Sequence, residues 1–146
     1  MAAERTAEVV WSGSLLEGAG TIERVGSGAL GPLDVTWASR SEESNGLTSP
    51  EELIAAAHAG CFSMALSHAL AQAGHPPKRV HTTAKVHLEK TADGFSIPRI
   101  DLVCEADVPG LDAAAFKEQA EQAKKNCPVS RLLAAAEITL DARLAG

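Results

Sequence analysis

Two stretches of the chain alternate strictly between apolar and polar positions. In RVHTTAKVHLEK, Val80, Thr82, Ala84, Val86 and Leu88 face one way, and His81, Thr83, Lys85, His87 and Glu89 the other. In PRIDLVCEADV, Ile100, Leu102, Cys104, Ala106 and Val108 share one face. A period of two belongs to a strand with one buried side. Between the two runs, ADGF carries an Asp-Gly turn signal. The first 40 residues read the same way. AEVVWSG, GAGTIERV and LDVTWASR are short runs broken by Gly and Pro, which predicts a meander of hairpins.

A helix is predicted after the polar loop SEESNGLTSP. Ser49 is its N-cap, Pro50 its first residue, and Glu52 follows the cap by three positions. It should run from Pro50 to about Ala73, where Gly74 closes it and HPP prevents continuation. Its centre, AAAHAGCFSMALSHAL, has no Asp, Glu, Lys or Arg, so the helix is expected to be buried on most faces. A second helix, capped by Asp112, should end near Asn126. VSRLLAAA adds a helical turn and EITLDARL a last strand. The order of strands, helix, strands, helix, strand predicts an α+β fold with antiparallel sheets, as one domain over 1–146.

Composition narrows the function classes. A chain of 146 residues with 45% apolar and 22% charged residues is long enough to bury a real core. The net charge of −6 argues against a nucleic-acid or acidic-membrane partner. With 3% aromatics and no Tyr, a base-stacking platform is not expected. No signal peptide or transmembrane span is read, and a cytoplasmic location is the expectation. Three cysteines in a reducing compartment point to metal, redox or catalytic chemistry, or to simple packing.

The three thiols read differently. Cys104 lies on the inner face of an alternating strand, where free Cys packs as a small apolar residue. Cys61 lies mid-helix after Gly60, a residue that costs on the order of 1 kcal/mol there against Ala. Its small neighbours Ala57, Ala59 and Ala65 leave space around the sulfur. Cys127 sits between a helix end and Pro128, beside Lys124 and Lys125, a junction expected to be partly exposed. A thiol in an apolar helix has a raised pKa, so Cys61 as a nucleophile needs a cation. Arg5, Arg24 and Arg40 are upstream candidates, and Arg40, just before the loop entering the helix, is the best placed.

SRSEESNGLTSPEELIAAAHAGCFSMALSHALAQAG followed by AKKNCPVSRLL resembles the OsmC/Ohr family of hydroperoxide reductases over essentially the whole chain. It is closer to the OsmC branch, because the arginine lies in the loop before the helix. The resemblance implies antiparallel sheets wrapped with central apolar helices in an intertwined homodimer, with active sites at the subunit interface. It implies a thiol-dependent peroxidase acting on organic hydroperoxides, and on hydrogen peroxide more weakly. It makes Cys61 the peroxidatic and Cys127 the resolving cysteine, joined in an intramolecular disulfide that an external dithiol reduces. Arg40 and Glu51 match the family's arginine and glutamate, while His58 and Ser130 receive no role. No cofactor, metal, nucleic acid or membrane is implied. Glu51 and Cys61 lie roughly 15 Å apart along a straight helix. Either the helix kinks near Gly60, or two helices pair about a two-fold axis and bring Glu51 of one chain near Cys61 of the other. The second arrangement is the expectation.

Other readings compete with this one. The alanine-rich helix could line an acyl-chain or small-molecule binding cavity in which the thiols are incidental. The five histidines lie without Cys-x-x-Cys or His-Glu-x-x-His spacing, which leaves a metal site weakly supported. A Cys61–His58 hydrolase lacks an evident orienting acid.

Overall fold

The first strand, β1 (Ala7–Ser12), pairs antiparallel with β2 (Ala19–Val25), and β2 with β3 (Leu33–Val35), in a sheet of order β1-β2-β3. These coordinates of residues 2–145 come from a computed structural model. The chain divides into two compact units, Met1–Leu53 and Ile54–Gly146. In the first, the expected meander forms, with a bulge between Glu8 and Val9. Gly31 (φ +113) turns the chain where a Cβ would meet the Glu23 carbonyl oxygen at 2.5 Å, so only glycine fits.

The third predicted strand is cut short. Trp37–Ser41 of LDVTWASR is a short helix, α1. Thr36 and Ser39 form a reciprocal capping box, each side chain accepting from the other's backbone N–H (3.0 and 2.9 Å). Two short hydroxyl side chains three residues apart therefore override the strand-like run Val-Thr-Trp.

The long helix α2 (Pro50–Gln72) starts where the cap predicts, with Ser49 Oγ accepting from the Glu52 N–H at 3.2 Å. It ends at Gln72, one residue short of Ala73, and Gly74 (φ +85) closes it, with the His75 N–H reaching back to the Leu70 carbonyl at 2.9 Å. Burial on most faces does not follow. His58, Phe62, Leu66 and Leu70 form one buried stripe at four-residue spacing, while Ala56, Ala57, Gly60 and Met64 are exposed. By length and composition alone, α2 could cross a bilayer, contrary to the expectation of no such segment. Here its buried stripe carries part of a core.

The second unit is a sheet with helices on its inner face. β4 (Arg79–Thr91) and β5 (Gly94–Asp107) form a long antiparallel hairpin. The predicted alternation is observed: Ile100, Leu102, Cys104, Ala106 and Val108 are all buried. α3 (Ala113–Asn126) starts on Asp112, whose carboxylate accepts from the Ala115 N–H at 2.8 Å. It buries Phe116, Ala120 and Ala123, and α4 (Pro128–Leu132) follows at once. The last strand, β6 (Glu137–Leu144), pairs with β5 in parallel, not antiparallel as expected. The helices between the two strands form the crossover that a parallel pairing requires.

Candidate active site

In the first unit, α1 ends beside the start of α2, and the two turns carry opposite charges. Arg40 Nε donates to both Glu51 oxygens (3.0 and 3.2 Å), and its Nη2 donates to Oε1 at 2.8 Å. Glu51 is buried, and Arg40 keeps about a third of its side chain exposed. The Arg40 guanidinium carbon lies 5.9 Å from the centre of the Trp37 ring. The fork is therefore fixed on one side by a carboxylate and by an aromatic neighbour. A cavity of about 400 Å³ opens here, lined by Val9, Trp11, Leu15, Val35, Thr36, Trp37, Pro50 and Arg40. Arg24, another candidate cation, pairs instead with Glu8 on the exposed sheet at 3.1 Å.

In the second unit, α2 and the α3–α4 junction bring Cys61 and Cys127 together. Both are free thiols, and each is close enough to the other to shift its ionisation. Cys61 is half-buried and borders an apolar hollow of about 580 Å³, formed with Ala56, Ala57, Gly60, Met64, Ala65 and Pro128. A Cβ on Gly60 would meet nothing within 4 Å, so the room expected beside the sulfur exists. Cys127 is fully buried, not partly exposed at its junction. Packing of α3 against the sheet carries its last turn, and Cys127 with it, into the core.

The two sulfurs differ in acidity. Burial pushes the Cys61 thiol up, and donation to Cys127 holds its proton further. Burial also opposes ionisation of Cys127. The Ser130 N–H, the Cys61 thiol, the Ser130 hydroxyl and the Val129 N–H outweigh it and bring this thiol below its ordinary value. Cys104 is buried in the core and pushed up by burial, in keeping with its packing role.

His58 and Ser130, given no role from sequence, are buried and bonded to each other, His58 Nε2 to Ser130 Oγ at 2.7 Å. The Ser130 N–H lies 3.5 Å from the Cys127 sulfur. The signal present in sequence was CPVS itself, because Pro128 starts a helix that Cys127 caps and places Ser130 on the same turn.

The family described as OsmC-like protein matches residues 43–143. The chain belongs to the OsmC family. It is 45% identical to peroxiredoxin OsmC of Escherichia coli (strain K12) over 144 residues, 99% of each chain. Among solved structures, the organic hydroperoxide resistance protein OhrB of Bacillus subtilis is 26% identical, with a TM-score of 0.69 over 96% of this chain and 98% of the other. An OsmC protein of Legionella pneumophila, described as an organic hydroperoxide resistance protein, has a TM-score of 0.68 at 23% identity, with 97% of both chains covered. The α+β architecture above is thus the OsmC/Ohr fold.

Proposed function

We propose that the chain is a thiol peroxidase that reduces organic hydroperoxides through Cys61 and Cys127. Membership of the OsmC family and the 45% identity to a peroxiredoxin support the peroxidase role. The observation that carries the cysteine assignment is the closeness of two free thiols, brought from a helix centre and a distant junction, each of which shifts the other's ionisation.

The cycle follows from these groups. In its ionised form Cys127, the more acidic of the two neighbouring thiols, takes the Cys61 proton and passes it on to the leaving alkoxide. The Cys61 sulfur forms a bond to the distal peroxide oxygen, the O–O bond breaks, and the alkoxide leaves as alcohol after taking a proton. Cys61 is then a sulfenic acid. Cys127 attacks that sulfur and expels hydroxide, which becomes water, leaving an intramolecular disulfide. An external dithiol reduces it by exchange. The alkyl group of the peroxide sits in the apolar hollow beside Cys61, where no charged side chain competes.

Arg40 supplies what Cys61 lacks in its own unit, a positive charge to favour the thiolate and polarise the peroxide. Arg40 and Glu51 pair within one chain. An arrangement that brings Glu51 to the Cys61 of a second chain therefore brings Arg40 with it. A homodimer provides that arrangement, and the exposed apolar face of α2, with Met64 at 75% exposure, supports it. The need for a dithiol reductant fits a cytoplasmic location.

Consumption of tert-butyl hydroperoxide in the presence of excess dithiol tests the reading. Catalytic turnover, lost in Cys61→Ser, is expected. Binding of the hydroperoxide without its consumption would favour a binding module instead.

A further inference from the structure

Ser130 adjoins the Cys127 sulfur, His58 adjoins Ser130, and neither has a part in the cycle described so far. Both are buried, and they belong to elements far apart in sequence, α2 and α4. Their contact at 2.7 Å adjoins the reacting sulfur, which accepts the Ser130 N–H at 3.5 Å.

A donor role for the Ser130 hydroxyl towards the Cys127 sulfur would set the remaining proton positions. A Ser130 hydroxyl that donates to sulfur has only lone pairs left for His58. The bond at 2.7 Å must then run from His58 Nε2–H to Ser130 Oγ. That leaves Nδ1 as the bare nitrogen, and Nδ1 is the one buried side-chain polar atom without a partner among the described residues. Burial keeps the His58 ring neutral, as this tautomer requires. A histidine is otherwise a poor choice for this position in the core, since a leucine would fill it with no unpaired atom.

We propose that Ser130 is a catalytic residue for disulfide formation, and His58 its positioning residue, together holding the Cys127 sulfur as the anion that attacks oxidised Cys61. This rests on the peroxidase reading and adds the groups that drive its second step. The step is balanced: the Cys127 thiolate bonds to the Cys61 sulfur, the S–O bond breaks, and the hydroxide released takes one proton to become water. Cys61 sulfur is reduced and Cys127 sulfur oxidised. In the reverse sense, the more stable thiolate is the better leaving group. The external dithiol therefore attacks Cys61, which borders the open hollow, and expels the buried Cys127.

Single-turnover oxidation by one equivalent of tert-butyl hydroperoxide separates the steps, with dimedone trapping the sulfenic acid. Ser130→Ala is expected to slow disulfide closure about tenfold or more, the effect of losing a hydrogen bond to a charged group, so that trapped sulfenic acid accumulates. Ser130→Thr restores closure. His58→Leu reproduces the alanine effect, His58→Gln retains an N–H donor and softens it, and Ser130→Ala adds little to His58→Leu. Closure in Ser130→Ala within twofold of the parent overturns the proposal. A second measurement is independent of peroxide chemistry and of how well any one variant folds. In Cys61→Ser, the ultraviolet thiolate absorbance of Cys127 is titrated with pH, and Ser130→Ala or His58→Leu moves its midpoint up by about one unit. An unmoved midpoint in both overturns the proposal. If the parent's thiols survive hydroperoxide while this midpoint shifts, the peroxidase reading fails and the role of Ser130 as thiolate holder stands.

Discussion

Cys61 and Cys127 are neighbouring free thiols of unequal acidity, Cys61 raised and Cys127 lowered, so the proposed peroxidatic and resolving groups already act on each other before any oxidant arrives. Their inequality follows from place. Cys61 lies in the middle of α2, away from its free first-turn N–H groups, whereas Cys127 caps α4 and accepts from the Ser130 N–H.

The two cysteines should fail differently. Cys61→Ser is expected to abolish peroxide consumption. Cys127→Ser should perform one turnover and stop with a sulfenic acid on Cys61, detected as a dimedone adduct by mass spectrometry. Sustained turnover by Cys61→Ser would assign the chemistry elsewhere.

Replacement of the guanidinium separates charge from geometry. Arg40→Lys keeps the charge but loses the fork that meets both Glu51 oxygens. Loss of kcat/KM by about a hundredfold is expected for Arg40→Ala, the scale of one preorganised donor, with Lys recovering only part. Glu51→Gln should fall between the two. Equal activity in all three would remove Arg40 from the site.

The exposed face of α2 makes a prediction about assembly. Met64 stands at 75% exposure beside Ala57 and Gly60. Met64→Lys should shift a dimer towards monomer in sedimentation velocity and lower activity at low protein concentration. A parent protein that sediments as a monomer at all concentrations would leave Arg40 without a route to Cys61 through a second chain.

Acid stability should depend on Asp101. This carboxylate joins three strands: it accepts from Thr139 Oγ1 on β6 at 2.6 Å, faces His87 on β4 at 2.8 Å, and accepts from Arg99 on β5 at 2.6 Å. Those bonds, Thr139 first, hold its pKa well below the usual carboxylate range. A folded-state pKa below the unfolded value gives stability that is complete above about pH 4 and lost as the pH falls further. Asp101→Asn should therefore flatten the fall in thermal midpoint below that pH. An unchanged slope would mean that the network adds nothing in solution.

Much of the fold is written in local pattern. The inner faces of β4 and β5 follow from alternation, and both ends of α2 from Ser49, Pro50 and Gly74. What was not legible depends on tertiary choices. The parallel direction of β6 is set by where α3 and α4 leave the chain, and EITLDARL reads the same in either direction. The burial of Cys127 depends on α3 packing through Phe116 and Ala120, which the neighbouring lysines conceal. In α2, an all-apolar composition hides which stripe is buried, because Ala and Gly suit either side. Of the candidate site, Arg40, Glu51, Cys61 and Cys127 are recognisable by motif, and the structure sets them as an ion pair and a pair of neighbouring thiols. The His58–Ser130 contact spans α2 and α4 and leaves no periodic trace in sequence.

A thiol count under oxidant tests the central claim most directly. The reduced protein is treated with one equivalent of tert-butyl hydroperoxide, alkylated under denaturing conditions and mapped by mass spectrometry. The account predicts that two thiols per chain disappear into a Cys61–Cys127 disulfide, with Cys104 still alkylated. Three alkylated thiols after complete exposure to the hydroperoxide, or a disulfide that includes Cys104, would contradict it.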